Sequence, residues 1–232
     1  MSDKLDNTEH PRQIRSFVKR QGRMTQGQSR ALESLIPDYG VDHLEGQFNY
    51  AEIFGRDAQT VLEIGFGMGQ SLVAQAEAHP DINYLGVEVH LPGVGSLLNA
   101  MEAKGLENLR VSGEDAVVLL RDNIGLESLD GIQIFFPDPW HKKRHHKRRL
   151  IQPEFVTELA KRLKPGGFMH LATDWENYAE QMLEVLSDES QLRNTSETND
   201  YVPRPDSRPL TKFEQRGHRL GHGVWDLMFT KS

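Results

Sequence analysis

Asp138 stands between two prolines in the stretch FFPDPWHKKRHHKRRL, Phe135 to Leu150. Each proline fixes its own φ, so the carboxylate between them is held with little freedom. A fixed acid at the end of a strand can orient the hydrogen-bonding edge of a ligand, or stabilise positive charge that develops beside it. Directly behind it, residues 142–149 carry six Lys/Arg and two His. Cations at that density capture phosphates. The plain alternatives are an ordinary proline turn and a solvated charged face.

A second constellation is LEIGFGMGQS, which puts Gly65, Gly67 and Gly69 between an apolar strand and a helix. Glycines there allow a tight turn and let a ligand approach the backbone. The spacing E-x-G-x-G-x-G differs from the G-x-G-x-x-G of dinucleotide binders, and it lacks the G-K-[ST] of a phosphate-binding loop. Acids follow where a nucleoside would need them. Glu88 closes a second strand, GVEVH, where a carboxylate can accept both hydroxyls of a ribose. Asp115 opens the helix after a third strand, and can accept from an adenine amino group or cap that helix. Glu63 lies inside the first strand, where a buried carboxylate needs a partner, and a cationic ligand end would supply one. Glu63, Glu88 and Asp115 together suit an adenosine that carries positive charge. That points to S-adenosylmethionine and away from NAD, with its anionic phosphates. His145 and His146 sit among cations that oppose metal binding, so no metal is expected.

The elements that position these groups are legible as periodicity. From about residue 58 the strands TVLEI, NYLGVEV, NLRVS, GIQIFF and FMHLAT alternate with the helices GQSLVAQAEAH, PGVGSLLNAMEAK, DAVVLLRD, EFVTELAKRL and ENYAEQMLEVL. KPGG closes the fourth of these helices. A weaker strand near Leu192 to Ser196 and a last strand, VWDLMFT, complete the pattern. Such alternation predicts an α/β fold: a mostly parallel seven-stranded sheet with helices on both faces, and a ligand crevice at the carboxyl ends of the strands. Upstream, TQGQSRALESLI reads as a helix with Thr25 as its N-cap. The expected division is a basic N-terminal arm and helix over residues 1–50 and a catalytic domain over 51–232.

Composition narrows the partners. The 232 residues include no cysteine, which removes disulfides, thiolate nucleophiles and cysteine zinc sites together. No apolar run is long enough to span a membrane and the polar N-terminus has no signal-peptide core, so a cytoplasmic location is expected. Net charge is −7, yet residues 10–32 hold six Lys/Arg and no acid, and residues 202–223 hold five Lys/Arg against Asp206 and Glu214. Positive charge segregated in this way sets the field that a polyanion meets, so a nucleic-acid partner fits despite the acidic total.

LEIGFGMG, GVEVH, FFPDPWHKKRHHKRR, ATDW and RPLTKFEQRGHRLGHGVWDLMF together resemble the bacterial tRNA (guanine-N7-)-methyltransferase family over nearly the whole chain. The glycine loop is shared by many methyltransferases, whereas FPDPW followed by TKFEQRG is far more selective. The resemblance implies a Rossmann-like class I fold dependent on S-adenosylmethionine, with Glu63, Glu88, Asp115 and Asp138 lining the donor site and Asp138 as the catalytic residue. It implies that Lys142, Asp174, Thr211, Lys212, Phe213 and Glu214 contact the substrate guanosine. It also implies that Arg144, His145, His146, Lys147, Arg148 and Arg149 form an RNA-binding segment. The product would be 7-methylguanosine in the tRNA variable loop, made by a monomer or homodimer that needs no protein partner. Some roles keep alternatives: Trp140 as a base platform or a core residue, Asp174 and Thr211 as helix caps.

Overall fold

A computed structural model describes residues 23–210, 214 and 223–232. The cations Arg12, Arg15, Lys19 and Arg20 and the substrate candidates Thr211, Lys212 and Phe213 lie outside the described residues.

The chain forms one seven-stranded sheet of order β3-β2-β1-β4-β5-β7-β6. Its first five strands are β1 (Thr60–Ile64), β2 (Asn83–Val87), β3 (Leu109–Ser112), β4 (Leu129–Phe135) and β5 (Leu163–Thr173). They pair in parallel, while β7 (Trp225–Lys231) runs antiparallel to both β5 and β6 (Leu192–Asn194). The order reverses between β1 and β4, and ligands of open α/β sheets bind at such a switch point. All five residues of β1 are buried, and so are all five of β2, as parallel strands covered on both faces require.

One face of the sheet is covered by α1 (Gln26–Tyr39), α3 (Gln70–Ala78) and α4 (Leu91–Lys104), whose Ala31, Leu35, Leu72, Ala76, Leu97 and Met101 pack with Val61, Tyr84 and Val111. The other is covered by α5 (Ala116–Asp122), α6 (Pro153–Arg162) and α7 (Glu176–Asp188), which bury Leu119, Leu159, Tyr178 and Met182 against Leu62, Ile134 and Leu171. The caps follow the sequence. Thr25 and Gln28 form a reciprocal capping box on α1, and Gly105 ends α4 in the left-handed conformation with φ 62°.

The structure departs from the periodicity in four places. Helix α1 runs past Ile36 through Pro37 to Tyr39, because a proline in the last turn forfeits only one backbone bond. A short helix, α2 (Tyr50–Phe54), lies between Asn49 as N-cap and a left-handed Gly55. The KPGG stretch, read as a helix stop, belongs to the start of β5, where the pairing with β4 shifts register between Leu129 and Gly131. Residues Lys143–Arg148 form a 3-10 helix inside the basic run. Among the described residues, no helix is long and apolar enough to cross a membrane.

Candidate active site

The loop after β1 turns on three left-handed glycines, Gly65 at φ 78°, Gly67 at 59° and Gly69 at 79°. A Cβ at Gly65 or Gly67 would meet no atom within 4 Å, so open space lies over the loop. Its underside is tight. A Cβ on Gly93, at the start of α4, would come within 2.1 Å of the Gly67 carbonyl oxygen. Glu88 organises the rim: its carboxylate accepts from the Gly67 N–H at 2.9 Å and from the His90 N–H at 2.8 Å. The Ser71 hydroxyl, in the first turn of α3, is buried without a hydrogen-bond partner. Open glycine backbone, a carboxylate on the rim and an orphaned hydroxyl make a cradle that fits an adenosine with a polar tail. Asp42, which the sequence reading missed, closes the third side by accepting from the Ser112 hydroxyl and, at 2.9 Å, from the Gly113 N–H.

Glu63 sits differently from the expectation. It is 2% exposed, and its carboxyl accepts from Gln75 Nε2 at 3.2 Å. Burial pushes its pKa up to about 8, against the smaller opposing effect of the Gln75 hydrogen bond. The carboxyl is therefore mostly protonated at neutral pH and has a partner inside the protein, so its burial needs no cationic ligand end. Asp115 is the N-cap of α5, accepting from the Val117 N–H at 2.9 Å, which is the second of its two readings.

Because β4 neighbours β1, the Pro137-Asp138-Pro139 turn lies beside the glycine loop. The Phe136 N–H still bonds the Ala172 carbonyl at 2.8 Å, and then the chain leaves the sheet. Phe136 and Trp140 flank the turn with φ of 52° and 47°, a left-handed conformation that ringed residues rarely adopt. Such strain persists only where the surroundings over-determine it, and it clusters at functional sites. Asp138 is exposed, and one of its oxygens accepts from the Trp140 N–H at 3.2 Å. The acid is thus placed by its backbone and open to a ligand.

The basic run divides by side. Lys142, Lys143, Arg144 and Lys147 are exposed. The Arg148 guanidinium lies over the Trp140 ring at 5.0 Å, and His145 packs edge-on against the same ring. Partial burial, and then the neighbouring Arg144, Arg148, Lys142 and Lys147, hold the His145 imidazole below its usual range. His146 is shifted the same way, first by burial and then by Arg149. Arg149 corrects the reading of the whole run as an RNA contact: it is 2% exposed, and its guanidinium donates to Pro139, Asn177 and Gln181. Those donors are spent inside the protein and face no phosphate.

Asp174 is exposed just beyond β5, on the same edge as Asp138. The next residue, Trp175, is 39% exposed and packs against His141, with ring centroids 4.2 Å apart. Glu214 is buried. Arg208, only 1% exposed, donates to both of its oxygens at 2.7 and 2.6 Å and to both oxygens of Asp226 at 2.7 and 2.8 Å. Asp226 is also 2.8 Å from His170 Nε2, and its pKa lies below the carboxylate range because the His170 and Arg208 contacts outweigh a large opposing effect of burial. The Arg208 guanidinium lies over the rings of Phe135 and Phe136, at 5.9 and 5.5 Å. No spacing in the sequence marks Arg208, although its anchor Glu214 falls within the TKFE run.

Comparison with known proteins agrees with this geometry. A family model described as "Putative methyltransferase" matches residues 57–227. A tRNA (guanine-N(7)-)-methyltransferase of Pseudoalteromonas translucida is 59% identical over 95% of this chain and 92% of its own length. Another, from Klebsiella pneumoniae, is 57% identical over 100% of this chain and 97% of its own. Among solved structures, the 16S rRNA methyltransferase KamB superposes with a TM-score of 0.58 at 18% identity, covering 84% of this chain and 99% of that one, a likeness of fold.

Proposed function

Because the chain belongs to the tRNA (guanine-N7-)-methyltransferase family, we propose that it transfers a methyl group from S-adenosylmethionine to N7 of a guanosine in the tRNA variable loop, forming 7-methylguanosine. The observation that carries this reading is the exposed Asp138, held between left-handed Phe136 and Trp140 beside the open glycine loop.

The residues have distinct tasks. The glycine loop and Glu88 hold the donor's adenosine end, with Asp115 and Asp42 shaping the adenine side. When bound, S-adenosylmethionine supplies an electrophilic methyl group on a sulfonium, and guanine that accepts it at N7 becomes cationic. N7 has a lone pair and no proton to lose, so the chain needs no general base for that nitrogen. Asp138 accepts from the N1–H and N2–H₂ edge of the base or stabilises its developing charge. Alignment of the reacting atoms supplies much of the remaining acceleration. Lys142 and Asp174 flank the base, and the exposed cations of residues 142–147 hold phosphates. Glu214 is held by its ion pair with the buried Arg208.

The chain divides into a basic arm and helix over residues 1–50 and a catalytic domain over 51–232, and helix α1 packs on α4. The enzyme works in the cytoplasm as a monomer or homodimer without another subunit. Nucleoside mass analysis of tRNA treated with the pure protein and S-adenosylmethionine tests the reading. 7-Methylguanosine is expected from the wild type, with its yield cut severely by Asp138→Ala. Methylation at another atom, or near wild-type turnover by Asp138→Ala with donor and RNA bound normally, sinks it.

A further inference from the structure

We propose that Arg149 is a positioning residue, a buried strut that sets the Asp138 turn at a fixed distance from the Asp174 turn. The proposal rests on the reading of Asp138 as the acid beside the accepting base. Pro137 and Pro139 have no N–H, so the turn cannot be tied down through its own donors at those positions and depends on outside donors reaching its carbonyls. Arg149 supplies one. Its Nε donates to the Pro139 carbonyl at 2.9 Å, one residue from Asp138.

The rest of the guanidinium reaches α7, whose first turns follow Asp174 directly. Nη1 donates to Gln181 Oε1 at 2.7 Å and to the Asn177 carbonyl at 3.3 Å, and Nη2 donates to Asn177 Oδ1 at 3.0 Å. Nη2 also meets His146 Nε2 at 3.1 Å, and the plane lies over the Tyr178 ring at 4.7 Å. One planar fork thus joins the turn after β4, the 3-10 helix and the helix after β5. Its acceptors on Pro139, Asn177 and Gln181 are all neutral. Burying a cation among neutral acceptors is a costly way to gain stability alone, whereas a rigid multi-donor fork is well suited to fixing three segments at once. Lysine keeps the charge and lacks the fork.

Methyl-transfer rate constants at saturating donor, tRNA KM and its salt dependence, measured on the full chain, separate the strut from an RNA contact. Arg149→Lys is expected to lower the rate constant by about 10- to 100-fold, with donor affinity, tRNA KM and salt slope unchanged. Gln181→Ala, which leaves the cation and cuts one tie, lowers the same constant by about threefold. Arg149→Lys at the wild-type rate overturns the proposal. So does an Arg149→Gln variant whose loss appears in tRNA KM, with the salt slope reduced by about one, as a phosphate contact requires. If Arg149→Lys does not fold, Gln181→Ala and Asn177→Ala decide, and wild-type rate constants in both overturn the strut. A wild type that makes no 7-methylguanosine fails before any variant is compared, and overturns the functional reading together with this one.

Discussion

The two halves of the sheet are held by different forces. Around β1, β2 and β3 the packing is aliphatic, with Leu72, Val94, Leu97, Leu98 and Met101 of α3 and α4 closing over Val61 and Val111. Around β4, β5 and β7 the same face carries His170, Asp226, Arg208 and Glu214, a buried ionic chain, with Phe135 and Phe136 beside it. The difference follows from what each half positions. The donor half presents a short loop, which glycine geometry and close packing fix. The acceptor half must fix long proline-rich loops, for which the ladder offers few hydrogen bonds, and buried guanidinium groups do that from outside.

Removing an acceptor from the ionic chain should show the largest effect. Asp226→Ala leaves Arg208 and His170 short of a buried partner and is expected to cost about 3 to 5 kcal/mol by denaturant titration. A loss under about 1 kcal/mol would mean that the acceptor half does not depend on its ions. The donor half has one buried acid of its own, and pH isolates it. Glu63 has a folded pKa of about 8, raised from 4.5. Between those values the unfolded chain has released the proton and the folded chain keeps it, so stability falls as pH rises through that window and is level above it. Glu63→Gln should remove this slope and be more stable than the wild type at pH 8, on the order of a few kcal/mol. Thermal melts at pH 5 and pH 8 would show it, and parallel curves for the two proteins would refute the buried acid.

Gly93→Ala probes close packing under the glycine loop. The new methyl would press on a backbone carbonyl that cannot swing away, costing about 1 to 3 kcal/mol and weakening donor binding in calorimetry. The smallest effects belong to the outward cations. Arg144→Gln or Lys147→Gln should change stability by less than about 0.5 kcal/mol, yet each should reduce the salt slope of tRNA binding by about one. An unchanged slope in both would move the RNA off this face.

The donor half was largely legible because its signals are local. Period, caps and three glycines name β1 to α5 nearly residue for residue, and Glu88 fell where a strand end requires it. Asp115 was legible only as a pair of readings, since cap and ligand acceptor share one residue type. The acceptor half was legible as a motif and opaque as an architecture. FPDPW marks the turn, but a run of cations carries no phase to say which one turns inward. Arg149 differs from Arg144 in its contacts, most of them with Asn177, Gln181 and Pro139, which are distant in the sequence. The burial of Arg208 likewise depends on Asp226, eighteen positions on, and α2 is too short to show a period.

Phe136 and Trp140 also set a limit for anyone engineering the enzyme toward heat tolerance. Left-handed backbone at a ringed residue costs on the order of 1 kcal/mol, which glycine or asparagine would largely recover. A library screened on melting temperature alone should therefore enrich those residues at both positions. The hardier clones would be the slower ones, since the slack they gain is slack around the acid, and the conflict between endurance and turnover would come down to two codons.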